Sequence, residues 1–581
     1  MTLAVLPSPN FSGADLSARV NAALTELRAA RRFVAVAVLL ADATMAYGAG
    51  ARAVALGDIV EAGGHRYRVA ASAAADHDVA TAGAVRLYVL PNSAGAMAAE
   101  AFGWQADNSA ASATANTVAA RAAIAAATLR AGGIIHFPRG IGFINGTLFL
   151  DRTTVLEGGA WLPEATSAIK LAPGSNCDMV RTRYASSSFG AQTDYTLGGG
   201  LRNIWLDGNR AAQSGTNDPV TGQLPVGINA KHWVLAELRN VEVRNCVGHG
   251  IWWGPNSNTC RIASVQSAYN GKSGLYCDNP TAGLHVSSCA FERNDEFGVE
   301  IATLDPTLSN LVFDGVSFEF NRKGEYLFAN GNGGGVSIRG GHAFGMTYSG
   351  GAMTAGAASL TISGASTQKF QASDVGAAVA VPGAGTAGAD LISRIAAFVS
   401  ATQVTLEANA VTTTSGQTVI QGAFVTYGTG LLPFLTIQDH DHFVDRKVAV
   451  HTISGGTSTY TAYVAGMFLL YLSRGQITTP SQWATLPLTN WFGAPAGTQA
   501  VQYRKTAFGR VELRGQVSQT SGTVIATLPV GFRPPADILF PTSSFYSAAV
   551  AMLRINADGT INWVNGATTG LALSHIGFDP A

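Results

Sequence analysis

From residue 227 to residue 320 the chain alternates apolar and polar positions on a two-residue period. Residues 241–244 read VEVR, 261–265 RIASV, 284–291 LHVSSCAF and 311–320 LVFDGVSFEF. Val, Ile and Phe at that spacing suit a pleated surface with one buried face, and no segment here carries the 3.6-residue stripe of an amphipathic helix. A glycine followed by an aliphatic residue punctuates the runs, at Gly227-Ile228, Gly250-Ile251, Gly274-Leu275 and Gly298-Val299, every 23 or 24 residues. Such a period belongs to a leucine-rich repeat, a short helical repeat or one rung of a parallel β-helix. Strand content decides for the last. Asn245, Asn270, Asn294 and Asn321 fall near the ends of successive units. Stacked rung on rung, their amides are expected to hydrogen-bond one another and otherwise unpaired turn groups.

Around this solenoid the pattern changes. Residues 16–31 (LSARVNAALTELRAAR) predict a short amphipathic helix, and the aliphatic run 33–41 (FVAVAVLLA) a core strand or an oligomer interface. An alanine-rich helix is expected over 117–131, ended by Gly132-Gly133. Residues 349–427 turn to Ala, Gly, Thr and Ser with strand-like pieces SLTIS, AAVAV, LISRIAAFV and QVTLEA, a small β module inserted between rungs. Asp558-Gly559, between LRI and INW, predicts a hairpin. The expected division is 1–100, 101–346, 347–428, 429–500 and 501–581, within an all-β protein.

Charge and cysteine content exclude some classes. Lys+Arg and Asp+Glu are both 37, so no global basic field draws the chain to nucleic acid. Cys177, Cys246, Cys260, Cys277 and Cys289 form no CxxC pair, and an odd count argues for buried free thiols over a disulfide framework or a zinc knuckle. The run 33–41 is too short to span a bilayer and too far in for a secretory leader. Membrane insertion is not expected.

Residues 102–150 read FGWQADNSAASATANTVAARAAIAAATLRAGGIIHFPRGIGFINGTLFL. Helix, double glycine and FP.G strand in that order resemble the entry segment of pectate-lyase-like right-handed β-helices, found in bacteriophage tailspikes and other polysaccharide-active proteins. The resemblance covers roughly 101–340. It departs where that family often has Asp-Gly before the helix, since this chain has Asp107-Asn108 and Ala115-Asn116. Residues 57–103 resemble the particle-proximal part of tailspikes, and 509–578, with LPVGFRP and a DG.I hairpin, the trimeric β-sandwich tips of phage fibres. What this implies is a homotrimer in the virion tail, attached through its N-terminal module to tail or baseplate proteins. It would bind, and by hydrolysis or elimination degrade, a bacterial surface polysaccharide without a cofactor. A non-enzymatic receptor-binding fibre, with the β-helix as a rigid spacer, is the alternative.

Glycan chemistry directs attention to carboxylates and aromatic faces. Glu292, Asp295 and Glu300 are the first acid/base candidates, because their spacing crosses a turn into the next strand; Asp207 follows, in WLDGNR; Glu296, Asp305, Asp314 and Glu319 belong to the same acidic region, with Asp278 on an earlier turn. Trp252, Trp253, Tyr276 and Arg210 are the expected glycan contacts. Adjacent tryptophans on a strand face opposite ways, so at most one of Trp252 and Trp253 is expected in the core. His249 reads as a turn histidine. Asp439-His440-Asp441-His442 is the one metal-like cluster, but its spacing matches no closed motif, and no metal is expected.

Overall fold

The computed structural model describes residues 17–22, 31–48, 52–130, 132–159, 167–183, 195–279, 282–303, 310–332, 335–431, 434–438, 448–454, 457–462, 470–472, 483–489, 492–506, 510–519, 521–544, 550–574 and 576–580. It divides into two compact units, Met1–Leu470 and Tyr471–Ala581. The cluster at 439–442 lies outside the described residues.

A parallel β-helix fills most of the first unit, with one sheet of 18 strands and one of 10 among the described residues. Each rung gives the larger sheet two stretches in line. Asn258–Ala268 is bent at Ser264, whose φ is +52°; its first half pairs with Ala282–Ser287 and its second with Ala290–Glu292. The smaller sheet stacks Ile228–Ala230, Ile251–Trp253, Leu275–Asp278 and Phe297–Thr303 in parallel. Ile228, Ile251, Leu275 and Val299 are in register and fully buried, a column of aliphatic side chains down the solenoid's interior.

The repeat glycines that precede them have ordinary negative φ. Their role is spatial. A Cβ on Gly250 would lie 2.0 Å from Ser267 Oγ, and one on Gly298 would lie 2.4 Å from Phe318 Cδ1. The asparagine ladder is present with one change of member. Asn270 Nδ2 donates to Asn294 Oδ1 (2.9 Å) and Asn294 Nδ2 to Asn321 Oδ1 (2.9 Å), all three fully buried. Asn245 is outside it: the Cys246 N–H donates to Asn270 Oδ1 (3.0 Å), while Asn245 adopts φ +53° and donates to Asp207 Oδ1 (3.1 Å).

The helix that caps the solenoid's entrance runs Ala113–Leu129 and ends at Gly132, where φ is +113° and the N–H reaches Ala127 O (2.8 Å). Of the helix expected over 16–31, the described residues 17–22 are helical. The run 33–41 is not a core strand. Only Arg32–Phe33 pairs, with Glu61 and Ala62; the partner strand then turns at Gly63-Gly64, and with no edge left the chain coils into a helix over Val36–Leu40. Val34 and Val38 are 89% and 48% exposed.

The inserted module is a closed six-stranded barrel between Met346 and Gln421, whose ends pair with each other. Ala423–Leu431 then resumes the stack on Gly324–Asn332. The join is ionic: Arg322 makes a two-pronged contact with Asp374 (2.6 and 2.7 Å), and Gln421 Nε2 donates to Asp374 Oδ1 (2.9 Å). The second unit holds small antiparallel sheets around one apolar cluster that includes Val511, Leu528, Leu553, Ile561 and Phe578. Its Asp558-Gly559 turn joins Val550–Ile555 to Thr560–Gly566. Among the described residues no helix is long and apolar enough to cross a membrane, and no cluster of metal-ligand side chains occurs.

Candidate functional site

The residue two places after each repeat glycine points outward from the smaller sheet, as strand alternation requires. Register aligns Asn229, Trp252, Tyr276 and Glu300 on that face. Rungs of a parallel sheet are ~4.8 Å apart, so neighbouring side chains touch. Trp252 and Tyr276 meet edge to face at 5.2 Å, and the His249 ring stacks on Tyr276 at 4.3 Å. Lys231 places its ammonium 3.9 Å from the centre of the Trp252 ring. Trp253 points the other way and is fully buried, stacked on Trp233 at 6.0 Å. The pair faces opposite ways as expected, and the expectation that needs correcting is Trp253 as a glycan contact, since it lies inside the solenoid; Trp252 is on the outer face yet only 8% exposed, because Lys231, His249 and Tyr276 roof it over.

Glu300 is the most perturbed carboxyl on this face. Burial pushes it up to about 7, and the neighbouring Glu296 adds to the shift against an opposing hydrogen bond from Ser273. Ser273 Oγ donates to Glu300 Oε2 (2.6 Å) and accepts from the Phe297 N–H (3.4 Å), so the proton of the neutral carboxyl is left to Oε1. His249 completes the support. Burial lowers its imidazole to about 3, so Nδ1 is free to accept the Ser273 N–H (3.1 Å), which holds the serine in place. Burial also acts to raise Glu296, but Lys323 and Lys272 outweigh it and hold that carboxyl below its usual range, at 3.2 and 2.9 Å. Asp278 shares the outer face of Leu275–Asp278 with Tyr276 and accepts from Thr303 Oγ1 (3.1 Å). Glu300 and Asp278 are one rung and two residues apart, roughly 8 Å between Cα atoms. A carboxyl protonated near neutrality beside a second carboxylate and stacked aromatic rings is the equipment of acid–base glycoside cleavage.

The other sequence-derived candidates lie elsewhere. Glu292 is on the larger sheet, in register with Asp207, Arg244 and Glu319. The turn between Glu292 and Glu300, whose crossing made them attractive together, is what carries them onto different sheets. Burial, then Glu319, raise the Glu292 carboxyl, and Gln266 Nε2 donates to it (3.0 Å). Asp207 caps its turn through the Asn209 N–H (2.8 Å) and pairs with Lys170 (3.6 Å). Asp295 sits in the corner, ion-paired with Arg210, so neither of those two is free on the aromatic face. Lys231 and Ser273 were missed as functional residues. The repeat itself indexes them, since they fall four places after Gly227 and one before Gly274.

No family model matches the chain, nor does any curated protein. Solved structures similar to it include ORF18 of Geobacillus virus E2, with 13% identity and a TM-score of 0.34 over 95% of this chain and 91% of that one. The A-module of mannuronan C-5 epimerase AlgE4 from Azotobacter vinelandii has 19% identity and a TM-score of 0.27, over 42% and 75%. Pre-mature gene product 12 of bacteriophage phi29 has 13% identity and a TM-score of 0.30, over 43% and 42%. The likeness is one of fold.

Proposed function

We propose that this chain is a bacteriophage tailspike-like protein that binds and hydrolyses a polysaccharide on the bacterial surface. The observation that carries the reading is the outer face of the smaller sheet, where Glu300, raised to about 7, adjoins Tyr276 and shares the face with Trp252 and Asp278. Glu300 Oε1 would give its proton to the glycosidic oxygen as the bond breaks. Asp278 would take a proton from water attacking the opposite face of the sugar. A single displacement of this kind inverts the anomeric centre. Tyr276 would meet the apolar side of a ring. The resemblance of residues 57–103 and 509–578 to tailspike ends supports placement in a virion tail, as a homotrimer held to tail proteins by the N-terminal module.

The test is incubation of the full chain with capsule and lipopolysaccharide from a panel of bacteria, following chain length, new reducing ends and absorbance of unsaturated uronates. Shortened chains with new reducing ends and no such absorbance are expected. Binding of a glycan that never shortens would instead make the solenoid a receptor-binding spacer, and the absorbance would mean elimination.

A further inference from the structure

We infer that the glycan taken by this face carries a carboxylate on its sugar, held by Lys231. This rests on the hydrolase reading above and adds the class of substrate. Lys231 follows Ala230, which is in register with Trp253 and Cys277, so it stands beside Gly254 on the next rung and in line with Asp278 on the one after. Gly254 has an ordinary φ, so its backbone does not call for glycine. The space does. A Cβ there would lie 2.3 Å from Lys231 Cγ and 3.1 and 3.2 Å from Cδ and Cε. The missing side chain is a channel in which the lysine stem lies flat across the sheet, bringing the ammonium over the Trp252 ring.

The ammonium is half-buried there, and burial lowers its pKa against the pull of Asp278 and Asp178. The other cations of this region are matched: Lys272 and Lys323 with Glu296, Arg210 with Asp295, Arg181 with Asp178 and Asp218. Among the described residues, Lys231 has no carboxylate oxygen within 4.0 Å. Among the described residues, Trp252 Nε1, on the ring it covers, is buried without a partner. A cation taken partly out of water and left without a close counter-charge is costly, and an arriving anion offsets that cost. One ammonium, with the Asp278 carboxylate nearby to repel a dianion, suits a monoanion. We take that anion to be a sugar carboxylate, from either a uronate or a pyruvate ketal; a phosphomonoester, dianionic near neutrality, is disfavoured.

The probe is the polymer shortened in the screen above, used intact, after mild-acid removal of ketals, and after reduction of its carboxyls to alcohols. With intact polymer, Lys231→Gln and Gly254→Ala are expected to raise KM about 10- to 100-fold, while Lys231→Arg retains part of the affinity and melting temperatures confirm folding. On the carboxyl-reduced polymer, wild type and variants should become equal. Loss of wild-type affinity on ketal removal identifies the ketal; its persistence until carboxyl reduction identifies the uronate. The inference is overturned if the shortened polymer has no carboxylate, if reduction leaves wild-type KM unchanged, or if Lys231→Gln keeps the wild-type preference; in those cases the hydrolase reading stands. If no polymer is shortened, both fall together.

Discussion

At the scale of single residues, the account turns on Glu300. Its folded value of about 7 against an ordinary 4.5 means that between those pH values the native chain keeps a proton the unfolded chain has released. The group's stabilising contribution is therefore full below about 4.5 and is lost as pH rises through 7, by up to about 3 kcal/mol. Comparing denaturant midpoints of wild type and Glu300→Gln from pH 4 to 8 should show a steeper fall with rising pH in wild type than in the variant. Equal slopes would contradict the assigned burial. Part of this site was legible in the sequence: Trp252, Tyr276 and Glu300 were each picked out, and all stand two places after a repeat glycine. The choice of Glu292 and Asp295 beside them followed a spacing that crosses a turn into the next strand. Closeness in sequence misleads in a solenoid, where a residue's neighbours are a full rung away.

At the scale of the element, the rung is defined by what its glycines and asparagines exclude or bond. The period, the strands and the amide ladder could be read directly because each recurs. Asn245 was misread because two adjacent positions, 245 and 246, compete for the ladder, and only the backbone settles which turns inward. The run 33–41 was misread for another reason: strand propensity counts only while a partner edge lasts, and the edge ends at Ala62. Asn294 sits mid-ladder, accepting from the Asn270 side chain and donating to Asn321 Oδ1 and Ser267 O (3.1 Å). Asn294→Ala would strand these buried groups and is expected to cost about 3 kcal/mol, read as a lowered denaturant midpoint. An unchanged midpoint would mean that the ladder contributes nothing net.

At the scale of the whole molecule, a solenoid must be capped and its strand edges kept from pairing with other chains. The helix Ala113–Leu129 covers one end of the stack, and the barrel enters between rungs without breaking their register. The proposed homotrimer predicts a solution mass three times the 60.0 kDa of one chain, measurable by sedimentation equilibrium; a monomer would remove the tailspike-like assembly while leaving the face intact. The two acidic faces make the central claim separable. Glu300 and Glu292 are both raised by burial but stand on different sheets, so one substitution on each is a matched pair. The most direct measurement is the rate of new reducing ends from the susceptible polysaccharide with wild type, Glu300→Gln and Glu292→Gln, all at pH 6. The account predicts a loss of 100-fold or more, on the order of that for a general acid, in Glu300→Gln, with Glu292→Gln near wild type. Full activity in Glu300→Gln with loss in Glu292→Gln would contradict it and move the chemistry to the larger sheet.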